Sequence, residues 1–324
     1  MAELANATGL GPVGRKPLEV RVLSPALAIA ALLLAASPRA PVAANSAWRS
    51  AAPLPVARTE VAAARVGSEI VVIGGFLADG QSTGRVDAYS PSTGRWRRLA
   101  DLPARVNHAM ATAADRHLYV VGGYGAERGA FVYFRRRWQR LPKLPAPRAA
   151  AGAAIVGRKL YVAGGVASPG RLAQRMLVFD LRRRIWSFAP GPSPREHLAV
   201  TAAGGLVYAL AGRSAGTNFT TFEAYSPRRR TWHRLAPVPY PRGGTGAAVV
   251  RGRIVSVGGE EPGGTIPSVY AYGIASRRWT RLPDLPTPRH GLGVVAFGDS
   301  VWAIGGGSQP GLHVSAANEF LALP

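Results

Sequence analysis

IVVIGG at residues 70–75 is the first of six apolar runs that end in a pair of small residues, usually Gly-Gly. The later copies are LYVVGG at 118–123, LYVAGG at 160–165, VYALAG at 207–212, IVSVGG at 254–259 and VWAIGG at 301–306. Successive pairs are separated by 48, 42, 47, 47 and 47 residues. A period of this length is typical of repeat architectures, so the fold has to be worked out from the repeat.

Each copy has the same order of parts around its glycine pair. An Arg and a small apolar run come first, then a tight turn and the Gly-Gly run; a third run such as VDAYSP and a Trp run such as GRWRRL follow. Four short runs bounded by Gly, Pro and Ser predict four strands per copy. Residues 48–324 show no sustained 3.6-residue apolar period, which argues against a helical repeat. An irregular all-β sandwich is the alternative, but it does not explain the fixed period.

Over residues 48–324 the chain resembles the kelch-repeat β-propellers. The resemblance rests on the glycine pairs, on a third-strand Tyr and on the Trp of the fourth run. The matching aromatic residues are Tyr89, Tyr133, Tyr225, Tyr272, Trp96, Trp138, Trp186, Trp232 and Trp279. Two copies depart from the pattern, with Ala211-Gly212 in place of a glycine pair and Phe179 in place of the Tyr. The resemblance implies an all-β, six-bladed propeller with four-stranded antiparallel blades.

The ends of the repeat predict how the ring closes. The sixth copy runs out at 320–323 without a Trp, whereas Trp48 precedes the first glycine pair. We therefore expect an N-terminal strand at 45–52 to complete the last blade, so that no long sheet edge stays exposed. This interpretation makes 45–324 one closed domain, which we expect to be a monomer.

Residues 1–44 do not fit the repeat. Arg15, Lys16 and Arg21 precede an apolar run at 22–36, and small residues end at Ala44. This order is typical of a secretory signal peptide, with cleavage near Ala44 and an extracytoplasmic mature chain. A retained membrane anchor is the alternative, although the run is short for a span and contains a proline. The chain has no Cys, which excludes disulfides and thiolate metal sites.

The formal net charge of +23 is concentrated in the turns between the third and fourth strands, on the face that we call the bottom. This basic collar comprises Arg95, Arg135, Arg136, Arg137, Arg182, Arg183, Arg184, Arg228, Arg229, Arg230, Arg277 and Arg278. Contact with an anionic cell surface is one interpretation, and plain solvated turns are the other. We expect no nucleic-acid partner, because no helix carries a basic motif.

A second set of arginines lies 16 or 17 residues before each small-residue pair, which predicts a ring around the top mouth of the central channel. The ring arginines are Arg58, Arg105, Arg148, Arg195, Arg242 and Arg289. Polar residues predicted at or near the same mouth are Glu60, Asn107, His108, Glu196, His197 and His290, with Tyr124, Arg213, Glu260, Glu261 and His313 in the loops after the pairs. The ring, together with His108 and His290, is a candidate site for a carboxylate or phosphate. Bracing of the loops is the alternative role of the arginines.

Two functions follow as hypotheses. The first is a non-catalytic binding module for an acidic small molecule, a glycan, a peptide or a protein. The second is a cofactor-independent epimerase or mutarotase that acts on an acidic sugar such as sialic acid, with Glu196, His197 and Glu260 as candidate acid and base. The chain is similar to exported six-bladed sialic acid epimerases in its Gly258-Gly259-Glu260 and the Pro-Gly loop after it, but Thr265-Ile266-Pro267 stands where those enzymes carry an Arg.

We expect no metal and no cofactor. The histidines lie on different blades without a ligand-type spacing. The copper oxidases that share this fold need a Cys crosslinked to a Tyr, and the chain has no Cys.

Overall fold

The computed structural model describes residues 47–324, and within them every regular element is a β-strand. In that part of the chain no helix is long and apolar enough to cross a membrane. The signal peptide predicted at 1–44 lies outside the described residues.

Six four-stranded antiparallel sheets form the blades, as predicted. Blade 1 follows a short strand β1 (Arg49–Ser50) and contains β2 (Ala62–Val66), β3 (Glu69–Ile73), β4 (Val86–Ser90) and β5 (Arg95–Arg98). Blade 2 contains β6 (Met110–Ala114), β7 (His117–Val121), β8 (Ala130–Phe134) and β9 (Arg137–Arg140). Blade 3 contains β10 (Gly152–Val156), β11 (Lys159–Ala163), β14 (Arg175–Asp180) and β15 (Ile185–Pro190), with a hairpin of β12 (Val166–Ser168) and β13 (Arg171–Leu172) between β11 and β14.

The second half of the ring repeats this plan. Blade 4 contains β16 (Ala199–Ala203), β17 (Leu206–Leu210), the hairpin β18 (Arg213–Ser214) and β19 (Thr217–Asn218), β20 (Phe222–Ser226) and β21 (Thr231–Arg234). Blade 5 contains β22 (Gly246–Val250), β23 (Arg253–Val257), the hairpin β24 (Glu260–Glu261) and β25 (Gly264–Thr265), β26 (Val269–Gly273) and β27 (Arg278–Leu282). Blade 6 contains β28 (Gly293–Phe297), β29 (Ser300–Ile304) and β30 (Asn318–Ala322).

The N-terminal strand closes the ring, as predicted. β1 pairs antiparallel with β30, with Arg49 opposite Phe320, so it is the outer strand of blade 6. The strand is shorter than the predicted 45–52, but Trp48 just before it donates its indole N–H to the carbonyl of Pro283 in blade 5 at 2.9 Å. Trp48 therefore takes the position of the tryptophan that the sixth copy lacks.

Each tryptophan of the fourth strand joins its blade to the preceding one. The indole N–H of Trp138 donates to Ala100 O and that of Trp186 to Pro142 O, both at 2.8 Å. Trp96, Trp232 and Trp279 make the equivalent bond. A hydrogen-bonded Trp between each pair of neighbouring blades explains why this residue type recurs with the period of the repeat.

The glycine pair joins each blade to the following one. The N–H of Gly75 donates to Val106 O at 2.8 Å, and the second glycine of every other pair makes the same bond to the next blade. Gly75 has φ +98°, and a Cβ there would lie 2.5 Å from Thr59 O. Only glycine fits so close an approach in a left-handed conformation. The first position is less strict, because Ala211 adopts φ +57° in blade 4.

Candidate functional site

Before the innermost strand of each blade, one residue adopts a left-handed conformation. These six residues, which we call the channel belt, are Glu60, His108, Ala150, His197, Gly244 and Gly291. Each is linked to the next blade by a backbone hydrogen bond; for example, the N–H of His197 donates to Ala150 O at 2.8 Å. Left-handed backbone at a non-glycine residue costs of order 1 kcal/mol and is concentrated at functional sites. The belt lines a space of about 130 Å³ at the top mouth of the channel.

The three belt residues with polar side chains converge at this mouth: Glu60, His108 and His197. Nε2 of His108 lies 3.2 Å from Glu60 Oε2 and 3.0 Å from Nε2 of His197. Tyr124 packs edge-on against His108, with 5.3 Å between the ring centroids. The sequence analysis placed all of these residues at or near the mouth, and the structure brings them into direct contact.

A second layer of charged groups surrounds the belt. Arg213 donates to Glu196 Oε1 at 3.2 Å and to Glu260 Oε1 at 2.6 Å, and its Nη2 lies 3.3 Å from His197 Nε2. His290 lies between two carboxylates, with Nδ1 3.2 Å from Glu60 Oε1 and Nε2 3.7 Å from Glu260 Oε2. The predicted mouth residues Glu261 and His313 stand apart from this network: Glu261 accepts from Tyr240, and His313 is exposed.

Burial and charge set the protonation of this network. Burial opposes the ionisation of Glu60, but the neighbouring His108 and His290 outweigh it and hold the Glu60 pKa far below its ordinary value. Burial lowers the pKa of His108 to about 4, so its imidazole is neutral at pH 7. Burial also acts against a charged His290, yet the hydrogen bond and charge of Glu60 raise the His290 pKa above its ordinary value. A hydrogen bond from His197 and the charge of Arg213 lower the pKa of Glu196, although burial partly opposes them.

The predicted arginine ring is buried beneath the mouth. Arg58, Arg148, Arg195, Arg242 and Arg289 are at most 2% exposed. Arg195 donates to Glu223 Oε2 at 2.6 Å and to the carbonyl of Ala211, and Arg289 bonds Glu319 and Gly305 in the same way. Arg58 pairs with Asp87, and Arg242 with Ser268. Burial lowers the pKa of Arg58 and Arg242 to about 10 without removing their charge at pH 7. These contacts favour the bracing role for those four arginines over ligand contact.

Arg105 is not a member of the ring, so its predicted place there was wrong. It is exposed, whereas the next residue, Val106, occupies the ring position: its carbonyl accepts from Gly75, as that of Arg148 accepts from Gly123. The spacing of 17 residues in this copy, against 16 in the others, reflects that one-residue offset. Blade 2 also has Phe131 at the third-strand position where blades 1, 4 and 6 carry the acidic partner. In blade 2, Val106 and Phe131 therefore form an apolar pair at the two positions that hold a buried ion pair in blades 1, 4 and 6.

Two ring arginines, Arg148 and Arg242, form no ion pair within residues 47–324, and of these two Arg148 has fewer hydrogen bonds. The equivalent third-strand position in blade 3 is Leu177, opposite Val162. Arg148 donates from Nη2 to Arg175 O at 3.1 Å, and its Nε and Nη1 have no partner within residues 47–324. Burial lowers its pKa to about 10, so the buried guanidinium keeps its charge.

Arg148 lines a pocket of about 310 Å³ at the top of blade 3, together with Arg171, Arg175, Ser168 and Gln174 and with no acidic residue. The pocket shares residues of the hairpin β12–β13 with a larger groove of about 890 Å³, which the top loops of blades 2, 3 and 4 line. Tyr124, Arg128 and Glu196 border this groove, so it begins beside the channel mouth. This groove was not predicted from the sequence. Leu177, at a position that is acidic in three of the six blades, was a visible signal only for the missing partner of Arg148.

The basic collar lies in exposed turns after the third strands, as its position in the repeat predicted. Each of its arginine triplets is solvent-exposed, and each of these turns holds at least one residue in a left-handed conformation, such as Arg184 at φ +57°.

Comparison with known proteins agrees with the repeat. Residues 129–307, more than half of the chain, match the family described as KLHDC2/KLHL20/DRC7 Kelch-repeats domain, and residues 57–103 match the Kelch motif. The chain belongs to the kelch-repeat family. Propellers of the kelch-repeat family generally serve as protein-interaction modules.

Several curated kelch proteins are similar to parts of the chain. Kelch-like protein terF of Aspergillus terreus is 44% identical over 73 residues, which is 21% of this chain and 16% of that protein. An F-box/kelch-repeat protein of Arabidopsis thaliana is 35% identical over 78 residues, covering 24% and 21%, and mouse Kelch-like protein 35 is 32% identical over 79 residues, covering 24% and 14%. The matched stretch spans about a fifth or less of each of these relatives, so the likeness concerns the kelch repeats themselves.

Proposed function

We propose that this kelch propeller is a non-catalytic binding module whose top face takes a ligand with a carboxylate or similar anionic group. The ligand would lie in the groove of about 890 Å³ and place its anion in the adjoining pocket beside Arg148. A volume of this size falls in the range of 300–1,000 Å³ that is usual for small-molecule sites. The same groove suits the side chain of a peptide or one residue of a glycan.

The unpaired guanidinium of Arg148 is the observation that carries this proposal. A buried charge is stable only when it is paired or hydrogen-bonded. Nε and Nη1 of Arg148 are buried donors without a partner within residues 47–324, and Arg148 lines the pocket. Arg171 and Arg175 add positive charge to the same cavity, and no carboxylate balances them there. Arginine binds carboxylates with two parallel N–H donors, so an anionic ligand group is the complement that this pocket lacks.

The test is an array of acidic glycans and acidic peptides in which every acidic member is paired with its uncharged methyl ester or amide. We expect binding of acidic members only, and a loss of about 10- to 100-fold in affinity for Arg148→Met, because charge-assisted hydrogen bonds are worth about 1.5–3 kcal/mol. Arg183→Gln, in the exposed collar, is the control for non-specific attraction and should leave the affinity unchanged. Equal binding of an acid and its ester, or an unchanged affinity of folded Arg148→Met, would contradict the proposal.

The second candidate function is the sugar epimerase. Glu196 and His197 are neighbours on the mouth, with Oε2 3.4 Å from Nδ1, and Glu260 joins them through Arg213. These groups are already bound to one another or to Arg213, and the space at the belt is only about 130 Å³, below the usual range for a site that holds a sugar. Mutarotation of anomerically pure sialic acid, followed by NMR, separates the two candidates. An acceleration that Glu196→Gln abolishes would replace the binding proposal.

The proposal also includes export of this binding module from the cytoplasm. A signal peptide at 1–44 would place the module outside the cytoplasm, where extracellular glycans and peptides are available as ligands. Mass spectrometry of the N-terminus checks this hypothesis, since a cleaved chain begins near Asn45 and a retained anchor leaves the N-terminus intact.

A further inference from the structure

The channel belt brings three metal-ligand side chains from three different blades to one point. Glu60, His108 and His197 each offer a ligand atom, and these atoms lie within 4.8 Å of one another. We propose that they form a binding site for a divalent transition-metal ion, with zinc as the ion that this set of donors suits best. Two histidines and one carboxylate, with a further position open, are a known donor set of zinc sites in proteins.

The spacing of the ligand atoms agrees with one ion between them. The two Nε2 atoms are 3.0 Å apart, and Glu60 Oε2 lies 3.2 Å from Nε2 of His108. A tetrahedral zinc ion with bonds of about 2.0–2.1 Å separates its ligand atoms by roughly 3.3 Å. These two separations are within a few tenths of an ångström of that value, and the ligand atoms of Glu60 and His197 lie within 4.8 Å of each other, so side-chain shifts without backbone movement would bring all three to the ion.

The second ring nitrogen of His108 has an acceptor, and that of His197 is buried close to a carboxylate. Nδ1 of His108 contacts Asn107 Oδ1, and Nδ1 of His197 lies 3.4 Å from Glu196 Oε2. Metal-bound histidines commonly donate their other N–H to a carbonyl or a carboxylate, which fixes the tautomer. With a proton on each Nδ1, both Nε2 atoms have a lone pair to offer to a metal ion beside the Glu60 carboxylate.

The surrounding charge also favours a cation. Three carboxylates, Glu60, Glu196 and Glu260, surround the mouth, and their cationic partners there are Arg213 and His290. Arg213 contacts His197 Nε2 at 3.3 Å, the longest of its three contacts, and holds both Glu196 and Glu260 more closely. It can therefore release His197 to the metal and keep its two ion pairs. The space of about 130 Å³ at the belt leaves room for roughly four waters, one of which would complete the coordination.

The belt itself shows that the ligands can be removed without disturbing the backbone. Ala150 occupies the equivalent position in blade 3, adopts φ +50° and makes the same hydrogen bond to the neighbouring blade. His108→Ala and His197→Ala would therefore reproduce a residue that the ring already contains. His313→Ala, on an exposed top loop, is a matched control.

The experiment is a calorimetric titration of the tag-free, metal-stripped full chain with Zn²⁺, together with visible absorption of the Co²⁺ form. We expect one ion per chain and a tetrahedral Co²⁺ band. Loss of an outer-shell partner costs about 10- to 100-fold in metal affinity, so His108→Ala and His197→Ala should each cost at least about 100-fold, and Glu196→Gln about 10-fold. Binding should also weaken as the pH falls, because protons compete for the ligands.

Two results would overturn this inference. One is the absence of stoichiometric Zn²⁺ binding to the wild-type chain. The other is binding that both histidine variants leave unchanged, which would put the ion elsewhere. Arg148→Met should leave Zn²⁺ binding intact, so the metal site and the anionic-ligand site succeed or fail independently.

Discussion

A chain that begins at Thr59 is expected to melt far below one that begins at Asn45, or to aggregate. The shorter chain lacks β1 and the indole bond of Trp48, and it loses Leu54, which is 2% exposed. Removal of a buried Leu side chain alone costs about 2–5 kcal/mol. The strand β30 would then present an unpaired edge, which favours association between copies.

Further bonds add to this effect. Leu54 N–H donates to Ala316 O, and the carbonyl of Ala52 accepts from Trp96 and from Asn318. The total approaches the 5–15 kcal/mol by which a native domain is stable. Melting followed by circular dichroism and size-exclusion chromatography measures the outcome. Trp48→Phe, which removes only the indole donor, should cause a much smaller drop. Equal melting temperatures for the two chains would show that closure of the ring between blade 6 and blade 1 does not depend on β1.

Arg195→Met is expected to destabilise the protein by about 3–5 kcal/mol, whereas Arg148→Met should be neutral within about 1 kcal/mol. The two arginines occupy equivalent ring positions and are both buried. Arg195 neutralises Glu223 at 2.6 Å, so its loss leaves a buried carboxylate without a partner. In blade 3 the position equivalent to Glu223 is Leu177, and Arg148 makes one hydrogen bond. Replacement of Arg148 therefore leaves no buried carboxylate without a partner.

The double variant Arg195→Val with Glu223→Phe provides the control. It reproduces the apolar pair that blade 2 already has in Val106 and Phe131. We expect it to recover most of the stability that Arg195→Met loses, because replacing both partners of a buried ion pair by apolar residues is often neutral. Free energies of unfolding from urea denaturation measure all three variants. A loss of unfolding free energy for Arg148→Met as large as that for Arg195→Met would contradict the conclusion that Arg148 has no buried carboxylate partner.

Much of the architecture could be predicted from the sequence, because repeated residues occupy repeated positions. The spacing of the small-residue pairs predicts six blades, and the lone Trp48 predicts the closing strand. The burial of the ring arginines was not predicted, since their acidic partners lie about 30 residues further on in the third strand. An alignment of the repeats shows this pairing in VDAYS and FEAYS, and shows its absence at Leu177.

The convergence of the histidines illustrates a limit of spacing arguments. His108 and His197 are 89 residues apart, so no local ligand pattern connects them, and the sequence analysis rejected a metal site for that reason. A closed ring makes equivalent positions of different blades meet at one axis, whatever their distance along the chain. The shape of the groove beside blade 3 could not be predicted in this way, because it depends on the conformation of loops that the repeats do not share.

The two kinds of bond between blades have a mechanical consequence. Tryptophan indoles hold each blade to its predecessor near the outer rim, and second-glycine N–H groups hold it to its successor near the axis. Each blade is thus bonded to one neighbour near the rim and to the other neighbour near the axis. These two attachments resist both outward rotation of the blade and twisting about its strands. The top mouth of the channel is therefore surrounded by blades that are each fixed at two radii, and a ligand that binds there meets a nearly rigid opening.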